Sequence, residues 1–182
     1  MTIKADVVII GAGPAGLCFA KSLADSGLQV VVLERQSESS LASPAFDGRE
    51  IALTHHSAEL MRELGLWSHI SPGAISPLRD ARVFNGTSLF SMDIGHRDTQ
   101  KTELGYLISN HLIREAAYQA ANSSPAISIK SKVEVTNIKT DADSARVTLN
   151  TGETIQAKLL IGADSRFSET RRAMGIAADM HE

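Results

Sequence analysis

At 182 residues, 43% apolar and 21% charged, the chain has ordinary globular composition and enough length to bury one substantial core. A net charge of −3 excludes the basic footprint of a nucleic-acid binder, and no apolar run approaches the length of a bilayer span. One cysteine, Cys18, excludes an internal disulfide framework, and with an opening that lacks a signal-peptide pattern it predicts a reducing, cytoplasmic setting.

Val7-Val8-Ile9-Ile10 is an unbroken run of β-branched residues, which predicts a strand buried on both faces. Gly11-Ala12-Gly13-Pro14-Ala15-Gly16 follows at once, and residues 15–25 predict a helix with Leu17, Ala20, Leu23 and Ala24 on one face. Cys18 lies inside that helix and reads as buried filler. A second apolar run, Val30-Val31-Val32-Leu33, ends in Glu34. Strand, tight turn, helix, strand and acid make one βαβ unit, the context in which a GxGxxG turn signals a dinucleotide site. In such a unit Gly11 permits the sharp turn, Gly13 lets a pyrophosphate approach the backbone, and Gly16 lets the helix pack close to the sheet. The helix N-terminus, starting at Ala15, offers N–H groups and a positive dipole end to phosphate. Glu34 stands where an acid accepts hydrogen bonds from an adenosine ribose.

Residues 37–44 read as a polar loop. Residues 57–64 predict a short helix with Leu60, Met61 and Leu64 as its apolar stripe, ended by Gly65. Residues 81–84 and 87–92 flank Asn85-Gly86, the strongest two-residue hairpin signal, and predict a hairpin that starts a second sheet. The chain returns at residues 104–108. A helix follows, with Ser109 or Asn110 as its N-cap and Leu112, Ile113, Ala116, Ala117 and Ala120 facing inward. Three strands are predicted next: 126–138, broken near Lys130, then 146–149, then 154–161. The last delivers Gly162-Ala163-Asp164 to the C-terminal edge of a parallel sheet, where open α/β sheets bind ligands. His55 and His56 are adjacent and diverge on a helix. With no HExxH, CxxC or carboxylate cluster, no metal site is expected.

Three segments together resemble the flavin-dependent aromatic hydroxylases of the para-hydroxybenzoate hydroxylase type. The first is Gly11 to Gly16 with Glu34-Arg35. The second is Gly48-Arg49-Glu50-Ile51-Ala52-Leu53-Thr54, followed by LMRELGLW at 60–67. The third is Gly162-Ala163-Asp164-Ser165-Arg166-Phe167-Ser168-Glu169-Thr170-Arg171. It fits the group's GADGxxSxxR motif except at Ser165, where glycine is usual. Glycine there allows a positive φ, so serine is expected to bend this loop differently or to block a ligand. The Arg-x-x-Ala-Leu and Leu-Gly-Leu-Trp spellings are most similar to the ubiquinone-biosynthesis hydroxylases within the group.

The resemblance implies an α/β fold: a Rossmann-like FAD-binding domain with a parallel sheet, a three-stranded β-meander and the beginning of a second, substrate sheet. Residues 1–74 and 105–182 would be the FAD-binding domain, and residues 75–104 the start of the substrate domain. FAD rather than NAD is implied on the first motif, at Gly11, Gly13, Ala15 and Gly16, with Glu34 on the adenosine ribose and Arg35 near the adenine. The resemblance further implies Arg49 at the pyrophosphate or flavin side and Asn110 near the flavin chain. Val133 would touch the adenine through its backbone. Asp164 would act near the pyrophosphate and in the transient visit of NAD(P)H. The remaining motif arginines, Arg166, Arg171 and Arg172, read as solvated or helix-pairing. The implied reaction hydroxylates an electron-rich aromatic ring with NAD(P)H and O₂, and no side chain is assigned as acid, base or nucleophile. In the ubiquinone-type members the substrate is a prenylated phenol or quinol, which implies peripheral contact with the inner membrane face. The group's third motif and most of its substrate sheet have no counterpart here, so the chain is read as the N-terminal part of such an enzyme, inactive by itself. Two rival readings stand beside it: a nucleotide-binding module without turnover, or a stranded fragment of one; and another flavin enzyme of the same fold, such as a prenyl reductase or a halogenase. Oligomeric state is not legible.

Overall fold

The computed structural model describes residues 1–98 and 100–179. In chain order its elements are β1 (Thr2–Ile10), α1 (Pro14–Ser22), β2 (Val30–Leu33), α2 (Glu38–Ala42), β3 (Glu50–Thr54), α3 (His55–Glu63), β4 (Ser76–Leu78), β5 (Asp80–Phe84), β6 (Ser91–Gly95), β7 (Gly105–Ser109), α4 (Asn110–Asn122), β8 (Ile127–Lys130), β9 (Val135–Thr140), β10 (Ala145–Leu149), β11 (Thr154–Gly162) and α5 (Glu169–Ala173). They divide into two compact units. One holds Met1–Pro44 and the chain from Ala117 onward; the other is Ala45–Ala116, so the division passes through α4.

The first unit is built on a six-stranded sheet in the order β8-β2-β1-β11-β10-β9. β8, β2, β1 and β11 run parallel, and β10 and β9 continue antiparallel as a meander. Val7 to Ile10 are all buried, as are all four residues of β2, because this stretch of sheet is covered on both faces. Val8, Ile10, Val31, Leu33, Val147, Leu149 and Ile155 form one continuous cluster on one face. Burying each such side chain is worth about 1.5–3 kcal/mol, which holds the C-terminal ends of β1 and β2 in fixed register. α1 buries Gly16, Leu17 and Ala20, but it ends at Ser22, and Leu23 and Ala24 lie in the turns beyond, half-buried. The break expected near Lys130 separates β8 from β9. The stretch expected as a polar loop at 37–44 contains the short helix α2. Ser37 is its N-cap, its Oγ accepting the Ser40 N–H, so the serines that read as loop serve as a helix start.

The second unit contains a three-stranded antiparallel sheet, β3-β7-β4, and the hairpin β5-β6. α3 starts at His55, where the Thr54 hydroxyl accepts the Ser57 N–H. It ends in a Schellman turn: the Leu66 N–H donates to the Met61 carbonyl, the Gly65 N–H donates to the Arg62 carbonyl, and Gly65 has φ +78°. Leu66 is buried, and Trp67 packs edge-on to Tyr106 beneath the Arg62 guanidinium. Leu60 is exposed, contrary to the expected stripe; Ala58 and Met61 are the buried residues of α3. The hairpin is also wider than Asn85-Gly86 suggests, with β6 beginning at Ser91. A two-residue type I′ turn needs positive φ at both positions, and only Gly86 has it, so the Ser88 N–H closes a four-residue turn on the Asn85 carbonyl. No helix among the described residues is long and apolar enough to cross a membrane.

Candidate cofactor site

The glycine loop closes the C-terminal edge of the parallel sheet in the first unit. Gly11 donates its N–H to the Leu33 carbonyl and takes φ +109°. A Cβ on Gly11 would lie 2.4 Å from the Ala163 carbonyl oxygen at the end of β11, and one on Gly16 would lie 2.0 Å from the Gly11 carbonyl oxygen. Both glycines are therefore demanded by backbone packed against backbone. Gly13 differs: a Cβ there would meet nothing within 4 Å. Gly13 is the N-cap of α1 and has no side-chain cap; Pro14 follows, and the first turn carries no acid. Ala15 is exposed on that turn. An uncapped helix start beside an open glycine leaves N–H groups and positive dipole available to an anion.

Glu34 ties this loop to its surroundings. Its Oε2 accepts the Ala12 N–H at 2.8 Å and its Oε1 accepts the Gln36 N–H at 2.9 Å. Its own N–H donates to the Lys130 carbonyl, and its carbonyl accepts the Val133 N–H. A carboxylate has about four acceptor sites, so two backbone donors leave capacity for two hydroxyls. Val133 is buried and its N–H is spent on Glu34, which leaves its carbonyl as the backbone group able to meet a ligand. Arg35 is exposed immediately beyond Glu34.

Asp164 follows β11 and turns its carboxylate onto its own loop. Oδ1 accepts the Ser168 hydroxyl, and Oδ2 accepts the Thr170 N–H at 2.9 Å and the Thr170 hydroxyl at 3.0 Å. Burial pushes this carboxyl up, but the donors from Ser168 and Thr170 outweigh it and hold it below the usual carboxylate range. Ser168 in turn caps α5 by accepting the Arg171 N–H. Ser165, in the glycine position of the motif, has φ +89°. The serine thus takes a left-handed backbone, the conformation that glycine adopts at no steric cost. Arg171 and Arg172 donate to the carbonyls of Ile176 and Phe167, and Arg166 lies over the Phe167 ring, so all three serve this segment. Cys18 is half-buried, not fully buried as a filler of the helix interior would be, and burial pushes its thiol up.

In the second unit, Arg49 and Asn110 meet on a residue that sequence reasoning passed over. Asp47 Oδ2 accepts Arg49 Nε at 3.0 Å, Arg49 Nη2 at 2.6 Å and Asn110 Nδ2 at 2.7 Å. Asp47 Oδ1 accepts the Arg49 N–H at 3.2 Å, and the Asn110 N–H donates to the Arg49 carbonyl at 2.8 Å. The Arg49 guanidinium and the Asn110 amide hold the Asp47 carboxyl far below the usual carboxylate range. Asn110 is the first residue of α4 and is buried, so its side chain is a partner of Asp47 and not simply a cap. The signal that could have exposed Asp47 is local: an Asp two residues before Arg49, across Gly48, is the pattern of an Asx turn.

The FAD binding domain family matches residues 4–182. The chain belongs to this family. Over its whole length it is 47% identical to the ubiquinone hydroxylase UbiM of Neisseria meningitidis, and over 94% of its length 33% identical to the ubiquinone hydroxylase UbiL of Rhodospirillum rubrum. It spans 40% of the length of each of these curated relatives. Among solved structures, the anhydrotetracycline hydroxylase OxyS of Streptomyces rimosus superposes on 99% of the chain with a TM-score of 0.80 at 25% identity, the chain covering 36% of that protein. FAD is the cofactor of the FAD binding domain family, and the first unit fits it: the open position at Gly13 and the uncapped start of α1 suit a pyrophosphate, and Glu34 has acceptor sites left for a ribose.

Proposed function

We propose that this chain is the FAD-holding part of a flavin monooxygenase that hydroxylates the ring of a ubiquinone precursor, a prenylated phenol or quinol, with NAD(P)H and O₂. The observation that carries the reading is the contrast inside one loop. Gly11 and Gly16 are locked against backbone, while Gly13 faces open space at an uncapped helix start. The similarity to UbiM over the entire chain supports the substrate class.

In this reading residues 1–74 and 105–182 form the FAD-binding domain, and residues 75–104 begin the substrate domain. Gly11, Gly13, Ala15 and Gly16 hold the pyrophosphate, Glu34 accepts the ribose hydroxyls, Arg35 lies near the adenine, and the Val133 carbonyl meets the adenine amine. Arg49 faces the pyrophosphate or flavin side, and Asn110 the flavin chain. Asp164 acts near the pyrophosphate and in the transient visit of NAD(P)H, its carboxylate set in place by the donors from Ser168 and Thr170. Bound FAD supplies the redox chemistry by which O₂ is activated; the chain's own residues bind and orient it. In this reading the protein is cytoplasmic, and a lipid-like substrate would bring it into peripheral contact with the inner membrane face.

The test has two arms. The purified chain is incubated with FAD and desalted, and its visible spectrum is recorded. A version extended to the length of the relatives is then assayed with a prenylated phenol, NADPH and O₂. Retained flavin and a hydroxylated product are the expected results. A colourless protein together with a reduced or unmodified ring would overturn the proposal.

A further inference from the structure

We propose that Asp47 is a positioning residue for flavin binding, holding Arg49 and Asn110 in the arrangement with which they meet the cofactor. The inference rests on the reading above that Arg49 and Asn110 face FAD.

Both donors converge on one oxygen, Oδ2. Arg49 is held by one edge only, through Nε and Nη2; Nη1 has no partner among the described residues, and the side chain is 65% exposed. An arginine anchored along one edge presents its other edge as a preset fork for a phosphate, with less rotamer entropy to lose on binding. Asp47 Oδ1 fixes the local backbone through the Arg49 N–H, and the Arg49 carbonyl receives the Asn110 N–H, so backbone and side chains of all three residues are linked. The Asp47 carboxylate is itself 25% exposed, and its negative charge would repel a phosphate. Its effect on a cofactor would run through its two partners. Removing it would free Arg49 to sample other rotamers and would leave the buried Asn110 amide without its acceptor.

The test measures FAD dissociation constants by fluorescence titration for the wild-type chain, Asp47→Ala, Asp47→Asn, Arg49→Ala and the Asp47→Ala/Arg49→Ala pair, with thermal unfolding of each in the absence of FAD. Asp47→Ala is expected to weaken FAD binding about tenfold, as loss of an orienting partner does at other ligand sites. Asp47→Asn, which keeps the shape and one accepting oxygen, is expected to fall between wild type and alanine and guards against a folding artefact. In the Arg49→Ala background the Asp47→Ala loss should shrink well below tenfold, because most of it acts through Arg49. Unchanged affinity in Asp47→Ala while Arg49→Ala binds weakly would overturn the role of Asp47 and leave the site reading intact. A lowered unfolding temperature with unchanged affinity of the folded protein would show a purely structural role and overturn it as well. No FAD binding by the wild-type chain at millimolar FAD would instead overturn the site reading, and the Asp47 proposal with it.

Discussion

Replacing Ser165 by glycine should stabilise the protein. Ser165 holds φ +89°, and it is exposed, with no side-chain hydrogen bond among the described residues. A side chain in left-handed backbone costs about 1–2 kcal/mol, because its Cβ crowds the neighbouring carbonyl. Glycine removes that cost but gives the unfolded chain more freedom, worth about 0.4–1 kcal/mol in the opposite direction. The net gain expected for Ser165→Gly is about 0.5–1 kcal/mol, a rise of about 1–4 °C in Tm for a chain of this size. The backbone role of the residue is unchanged, since its carbonyl still accepts the Ser168 N–H at 3.1 Å. Ser165→Ala keeps the Cβ and should leave Tm where it is. Thermal unfolding of the three proteins under one set of conditions provides the measurement. A Ser165→Gly protein that melts below wild type, or an alanine variant that gains as much as glycine, would refute the argument from backbone strain.

Other outcomes follow from the same geometry. Gly11→Ala combines a positive φ with a Cβ 2.4 Å from a backbone carbonyl, and should destabilise by about 3 kcal/mol or more in urea unfolding. Gly13→Ala meets open space, so it should cost under about 1 kcal/mol in the same assay, as an N-cap change, yet lose flavin on desalting. Asp164 has its folded-state pKa below the unfolded value of about 3.9, so its stabilising effect is present above that value and disappears as pH falls through the folded pKa. Asp164→Asn should therefore unfold at lower urea than wild type near neutral pH, and the gap should close as the pH is lowered through the folded-state pKa. A gap of constant size across the titration would show that the effect is not carried by the charge.

Much of the fold was legible because its signals are local. The β-branched run Val7 to Ile10, the glycines after it and the helical stripe through Leu17 and Ala20 each occupy a few consecutive residues, and each appears where its pattern lies. Helix ends and turns were less legible. Asn85-Gly86 suggested a two-residue turn, but Asn85 does not take positive φ, and the loop opened to six residues between β5 and β6. Leu60 fitted a helical stripe and is exposed, because what α3 buries is set by its neighbours and not by its own spacing. Among the site candidates, the spacing of Asp47 and Arg49 marks a local turn, but nothing in the sequence ties that turn to Asn110, which the same carboxylate clasps.

The sequence by itself determined the βαβ unit and its glycine loop, since backbone preference and hydrophobic period act between near neighbours. The tertiary structure alone decided which glycines are irreplaceable and which is open. Gly11 meets the carbonyl of Ala163, a residue far along the chain brought alongside by the parallel pairing of β1 and β11, whereas Gly13 meets nothing. It also decided that Asp164 faces its own loop and that Asp47 gathers its two partners. Such convergence depends on chain segments brought together by burial of the core, and that long-range packing leaves no periodic trace in the residues it joins.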